Sequence, residues 1–380
     1  MNLRRIIALA MLAVGTASIS YAQDDQHGQE NRHGQDNRRG FVYTMSNGTE
    51  NTILAFHRSG DGKLSQATTV PTGGAGTGSN FGSQGALALS RDGRWLFAVN
   101  AGSNSVSVLE QRSTGLKLVN TVPSGGTLPE SIAVSGDLVY VLNDVAPANI
   151  TGFFFDDDRG ALYPIADSTR PLSAASPGAP QIGFDNSGSL LFVTEKATNL
   201  IDTYEIQEDG TPDGPHFQNS NGQTPFGFSF DRSNHLIVSE AFGGQRNKSA
   251  VSSYEVDDEG ILETISGSVP TEQTAACWLV ITRNGKFAYT SNTGSGTITG
   301  YRISHDGKLS LLNATGVSAP TGGPASAPVD LALTRDSRFL FGINVGNGTL
   351  IGWRVEADGQ LIFLQQVEKI PNSATGLVAR

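Results

Sequence analysis

The chain has 380 residues, of which 38% are hydrophobic, 46 are glycine and 16 are proline, a profile of short strands joined by turns rather than of packed helices. A formal net charge of −10 offers no basic face to duplex nucleic acid or an anionic bilayer, so neither is an expected partner. The single cysteine, Cys277, excludes an internal disulfide and a cysteine-built zinc site, and its setting in "AACWLVI" reads as a buried small hydrophobe.

Residues 1–22 read as a secretory signal peptide. Arg4 and Arg5 precede the apolar run 6–14, and Ser20 and Ala22 supply the small residues of a cleavage site after Ala22. The apolar run is too short to span a bilayer, and no later segment is apolar over membrane length. The mature chain is therefore predicted to be secreted or periplasmic without membrane insertion. Loss of Arg4 and Arg5 takes the net charge from −10 to −12. Residues 23–39 carry the tandem "HGQENR" and "HGQDNR", have nothing apolar to bury, and read as a disordered polar linker.

From residue 40 onward one turn recurs seven times, in forms such as "SGDGKL", "EDGTPD", "HDGKLS" and "ADGQLI". Its glycines are Gly62, Gly115, Gly160, Gly210, Gly260, Gly307 and Gly359, spaced 45 to 53 residues apart. Glycine between alternating segments is hairpin chemistry, because it accepts the positive φ of a tight turn. A second turn, as in "SRDGRW", "NSGSL", "RNGKF" and "RDSRF", precedes six of these and joins a short apolar segment to a longer one rich in Phe and Tyr.

Each unit thus holds four strands. The unmatched "ATGLVAR" at 374–380 and "RGFVYTMSN" at 39–47 are the first and second strands of a unit split between the two ends. Joining them leaves no free edge strand, which predicts an all-β, seven-bladed β-propeller of four-stranded antiparallel blades. The blades fall at 40–73 with 374–380, 84–126, 129–172, 179–222, 224–273, 275–323 and 327–371.

The stretches "FVTEKATNLIDTY", "VSEAFGG", "AACWLVITRNGKFAYTSNTGSGTITGYRI" and "RDSRFLFGIN" resemble the seven-bladed lactonase family, which groups 6-phosphogluconolactonase-like and carboxymuconate-cyclase-like proteins; YVTN-type surface repeats are similar too. The resemblance covers residues 40–380. It implies hydrolysis or isomerisation of a small lactone or related organic acid.

In a propeller, the loops between second and third strands share one face with the crossovers between blades. Here those connections are long and varied, as in "VPTGGAGTGSNFGSQG" and "GVSAPTGGPASAP", and function is expected around the central channel on that face. The second strands end there on Asn100, Asn143, Glu195, Glu240, Asn292 and Asn344, with Ser46 or Asn47 in the split blade. Asparagine caps such a loop through its own backbone, whereas glutamate does so poorly. Glu195 and Glu240, on adjacent blades, are therefore the expected catalytic acid/base pair or cation ligands. The competing assignment pairs each with a cation, Lys196 or Arg246, to order a loop.

Asn100, Asn143, Asn292 and Asn344 are expected to orient the substrate. The first strands begin on the same rim with Gln84, Glu130, Gln181, Phe226, Trp278 and Asp330. Of these, Trp278 and Asp330 are added to the substrate-binding set, against packing between blades for Trp278 and a turn cap for Asp330. The oxygen-rich rim makes Ca2+ or another divalent cation the expected companion. His57, His216, His235 and His305 fall away from the rim, leaving no central histidine base. The expected partner is a small lactone or organic acid, and the chain is expected to be monomeric. The rival reading is a non-catalytic binding or surface-interaction propeller, in which the rim residues are loop caps.

Overall fold

A computed structural model describes residues 39–380; the predicted signal peptide and nearly all of the polar linker lie outside the described residues. Seven antiparallel sheets account for almost all of the regular structure. Blades 2 to 7 begin with Leu87–Leu89, Thr127–Ser135, Gln181–Phe184, Pro225–Phe230, Ala276–Ile281 and Pro328–Leu333 as innermost strands. Each then steps outward through its second, third and fourth strands, and short extra strands, Arg170–Pro171 and Ala319–Pro320, extend blades 3 and 6. No helix among the described residues is long and apolar enough to cross a membrane.

Blade 1 is built from both ends of the chain. Thr375–Ala379 forms its innermost strand against Gly40–Met45, with Val42 opposite Ala379 and Thr44 opposite Leu377. Beyond the register, Arg380 N–H donates to Phe41 O at 2.8 Å and Phe41 N–H to Arg380 O at 3.2 Å.

The seven hairpin glycines all take left-handed φ, from 65° at Gly160 to 113° at Gly115. Several of these turns also lock neighbouring blades. Tyr140 of blade 3 donates its hydroxyl to Gly210 O of blade 4, and Tyr289 of blade 6 to Gly359 O of blade 7 at 2.7 Å. A Cβ at Gly359 would stand 2.7 Å from the Phe287 ring, so the close approach requires glycine as much as the φ does. Between blades the core is aromatic and aliphatic: Trp95 and Phe97 of blade 2 meet the edge of Phe155 of blade 3 at 5.5 and 4.8 Å.

Blade 2 departs from the repeat. Its first strand is predicted from Gln84 but forms only over Leu87–Leu89. The segment before it leaves the blade and crosses the propeller axis. Gln84 Nε2 donates to Leu279 O of blade 6 at 2.7 Å, and Leu279 N–H returns a bond to Gln84 Oε1 at 2.9 Å. Blades 2 and 6 are three places apart around the ring, so only a chord through the centre joins them. The chord is fixed on its other sides by Gln84 N–H to Pro180 O at 2.8 Å and by Ser131 Oγ to Gln84 O at 2.6 Å. The long-loop end of the channel is therefore closed by residues 82–85.

Candidate functional site at the long-loop end of the channel

The residues that end the second strands do not face the axis. They turn between their own second and third strands, and in blades 2 to 7 all but Asn292 tie down the crossover arriving from the preceding blade. Asn100 Oδ1 accepts from Thr72 Oγ1 at 2.6 Å, while Asn143 and Asn344 donate to Ser124 O and Thr321 O at 3.3 and 3.1 Å. Asn292 donates within its own blade, to Thr297 and to Thr299 Oγ1 at 2.8 Å.

The two glutamates sit in this same slot. Glu195 accepts from Ser173 N–H at 2.9 Å and from the hydroxyls of Ser173 and Thr198. Glu240 accepts from Gly222 N–H at 2.8 Å, Ser252 Oγ at 2.5 Å and Ser268 Oγ at 2.8 Å. Both are fully buried, and they share no partner. The expected convergence of the pair at the channel is not what the geometry gives: each carboxylate is taken up by a different crossover. Neither is paired with Lys196 or Arg246 through an ion pair.

Position 202 adds a second carboxyl to the Glu195 pocket. Asp202 lies opposite Val193, two residues inward from the strand end, where blades 2, 5 and 6 place Ser107, Ser252 and Thr299. Neither Asp202 oxygen makes a hydrogen bond of normal geometry, and the polar group beside them is the Glu195 carboxylate. Burial, and then the neighbouring Glu195, push its pKa up to about 9. Folding therefore favours the protonated acid, and stability falls as pH rises from the ordinary aspartate value towards about 9. Asp202→Ser, restoring the hydroxyl of the sibling blades, is expected to stabilise the fold by about 1–3 kcal/mol at pH 8. It should also flatten that slope in chemical denaturation; an unchanged or lower stability would contradict this account.

The alternation that sends Glu195 into the blade sends Lys196 the other way. Lys196 reaches the axial closure, donating its Nζ to Gly82 O at 3.3 Å and lying over the Phe226 ring at 5.2 Å. Phe226 and Trp278 pack at 4.8 Å between centroids, and the Trp278 indole N–H donates to Ser83 O at 2.8 Å. Trp278 thus packs between blades and holds the closing segment. Cys277 beside it is buried, and burial pushes its thiol up to about 11.

The residue that completes the cluster is Glu130, at the start of the first strand of blade 3. Its backbone carbonyl accepts Ser83 Oγ at 2.8 Å. Its side chain is 3% exposed, and Oε2 has no hydrogen-bond partner. Burial, reinforced by the Asp144 carboxylate and opposed by Lys196, pushes Glu130 up to about 8. Asp144 is itself raised by burial, although Ala179 N–H donates to it at 2.6 Å.

Three charge-bearing groups, Glu130, Asp144 and Lys196, therefore lie near one another beside residues 82 and 83, with Lys196 over the Phe226 ring. A carboxyl that titrates near neutrality beside an ammonium can move a proton and steady a developing oxyanion. Glu130 stood in the sequence as a rim residue without a role; its signal was an acid, shared only with Asp330, among Gln, Phe and Trp at equivalent strand starts.

Asp330 lies elsewhere on the axis. It is buried at the wall between blades 7 and 1, at φ 48°, with Leu331 N–H donating to Oδ1 at 2.9 Å and Oδ2 unpartnered. Burial holds its carboxyl far above the usual aspartate range. Among the described residues no group of three or more His, Cys, Asp or Glu side chains is arranged to hold a metal ion, and the two glutamates expected as cation ligands share no hydrogen-bond partner.

The comparisons with known proteins agree with the architecture. The family model described as "Lactonase, 7-bladed beta-propeller" matches residues 21–173, 148–274 and 241–376. A 6-phosphogluconolactonase of Serratia proteamaculans (strain 568) is 23% identical over 273 residues, covering 70% of this chain and 79% of that protein. Among solved structures, the periplasmic gluconolactonase of Pseudomonas aeruginosa superposes with a TM-score of 0.71 at 16% identity, covering 90% of this chain and 99% of that one. A protein from Lactobacillus plantarum superposes at 0.69 with 17% identity, over 90% and 100% of the two chains. With the blade repeat, the shared closing blade and a family match running almost the length of the propeller, this chain belongs to the seven-bladed β-propeller lactonase family.

Proposed function

We propose that the protein is an exported hydrolase of a small lactone, working at the long-loop end of the channel with Glu130 and Lys196. The observation that carries this is the Glu130 carboxyl, buried with an unpartnered oxygen, facing the field of Lys196 in a lactonase-family propeller. Displacement of Gly82 and Ser83, with Gln84 still clasped to Leu279, admits the substrate. The Glu130 carboxylate takes a proton from water as the water oxygen bonds to the lactone carbonyl carbon, and Lys196 stabilises the resulting oxyanion. The ring C–O bond then breaks, and Glu130 returns its proton to the leaving alkoxide. The product is a hydroxy acid, which releases a proton at neutral pH. Glu195 and Glu240 hold the crossovers that frame the site, and the periplasmic gluconolactonase neighbour is in keeping with an exported enzyme.

The test is proton release from sugar, aliphatic and aromatic lactones, with and without chelator. Wild type runs beside Glu130→Gln, Lys196→Met, Glu195→Gln and Glu240→Gln, each checked for folding by circular dichroism. Activity lost in the first two and kept in the last two supports the site. Activity lost only in folded Glu195→Gln or Glu240→Gln moves the chemistry to those carboxylates, and sensitivity to chelator assigns a cation. No activity on any lactone leaves the binding propeller as the reading.

A further inference from the structure

The axial channel is closed at the long-loop end but open at the other. Below Gln84 it forms a cavity of about 640 Å3, lined by first strands of blades 1, 2, 3, 4 and 7 and containing Asp330 in its wall. This cavity shares Arg91 and Asn186 with a wider mouth of about 850 Å3 on the short-turn face. The result is a blind funnel whose floor is the chord and whose rim is made of the first-to-second turns.

That rim is basic in a protein of net charge −10. Arg91, Arg232 and Arg283 occupy the same turn position in blades 2, 5 and 6, and Arg338 joins them from blade 7. All four are exposed. No hydrogen bond or ion pair engages the guanidinium of Arg91, Arg232 or Arg283 among the described residues. The two acids that line the wide mouth with them are already engaged. Glu356 accepts from Arg354 Nε at 2.7 Å, and Asp336 from Thr334 Oγ1 at 2.7 Å and Arg338 N–H at 3.1 Å. Unspent planar forks around an axial opening are suited to carboxylate or phosphoryl oxygens. Deeper in, Asp330 lies buried in the cavity wall near the N–H groups of Gly376 and Leu377, and its Oδ2 makes no hydrogen bond of normal geometry.

We propose that this funnel is a second ligand site, on the face opposite the lactone site, for a small hydroxylated oxyanion whose charged head binds Arg91, Arg232 and Arg283 and whose hydroxyls enter the channel towards Asp330. A hydroxyl donor there gives Oδ2 a hydrogen bond of normal geometry, and a carboxylate or a phosphoryl group serves equally as the head. The site is independent of any hydrolysis at Glu130, because the chord separates the two.

The test is calorimetric titration at low ionic strength with glucose 6-phosphate, gluconate, inorganic phosphate and glucose. Saturable binding of glucose 6-phosphate or gluconate, with none of glucose, is expected, and the tighter of the two names the head group. Inorganic phosphate should bind about tenfold more weakly than the tighter ligand, since it brings no hydroxyl tail. Arg91→Gln and Arg283→Gln should each weaken binding about tenfold, while Lys196→Met leaves it unchanged. No saturable binding of either acid, equal affinity for inorganic phosphate, or indifference to both arginine substitutions overturns the proposal. Loss of binding in Lys196→Met would place the ligand at the lactone site instead.

Discussion

Glu130→Gln is expected to reduce kcat for lactone opening by about 10²- to 10⁴-fold, the range that a positioned acid or base contributes. The substitution keeps the shape of the side chain in its buried slot, so it removes the titration and leaves the packing. In wild type the active form is the carboxylate. With Glu130 at about 8, the rate should climb as pH rises towards that value and level off above it; in Glu130→Gln this limb disappears. A variant that retains the wild-type pH profile rules out Glu130 as the base.

The same residue carries a stability signature of definite sign. The unfolded chain releases the Glu130 proton near the ordinary glutamate value, and the folded chain holds it to about 8. Between those pH values the folded state binds more protons, so stability falls with rising pH by up to about 1.4 kcal/mol per pH unit for this one group. Glu130→Gln should lose that component and become relatively more stable above pH 8. An enzyme that is slower yet harder to unfold at alkaline pH would mark Glu130 as a group held in its site against the preference of the fold.

Removing residues 374–380 is the other change of large expected effect. It strips the innermost strand of blade 1, leaves the inner edge of Gly40–Met45 unpaired, and opens the ring at the one place where two chain ends close it. It also removes the Arg380 carbonyl, which accepts from Phe41 N–H and Arg58 Nε. A seven-bladed ring without its closing strand exposes a sheet edge as well as the apolar faces of blades 1 and 2. The truncated chain is expected to aggregate or to lose its cooperative thermal transition. Adding the 374–380 peptide in trans should restore part of it. A truncated protein that melts as the full chain does would mean that the closing strand contributes little.

The architecture could be read from the sequence because its signal is local and repeated. A hairpin that needs positive φ favours glycine, and the outer hairpin writes it seven times, each now found in a left-handed turn. The split blade followed from counting, since a first strand without a second and a second without a first can only be one pair. The site was harder. Glu195 stood out against asparagine siblings, and the oddity was real, but it lay in the direction of the side chain. A strand end that buries position 195 on one side turns position 196 to the other, and there the lysine passed over as a counter-ion reaches Gly82 of the axial segment. The chord was not legible at all. Nothing in "GSNFGSQG" says that Gln84 leaves its blade, because its partner, the backbone of Leu279, has no side-chain identity to read.

That chord also bears on how the ring comes together in time. Gln84 and Leu279 are 195 residues apart, so their mutual hydrogen bonds cannot form until blades 2 to 6 are assembled and curved into place. Contacts of such long range are late rewards of folding, absent from any partly built arc. Interactions formed after the rate-limiting step act chiefly by slowing the return journey. The clasp is thus a latch on the finished ring, one that contributes more to the lifetime of the native protein than to the speed of its making, and it keeps the residues above it in register for as long as the ring stays shut.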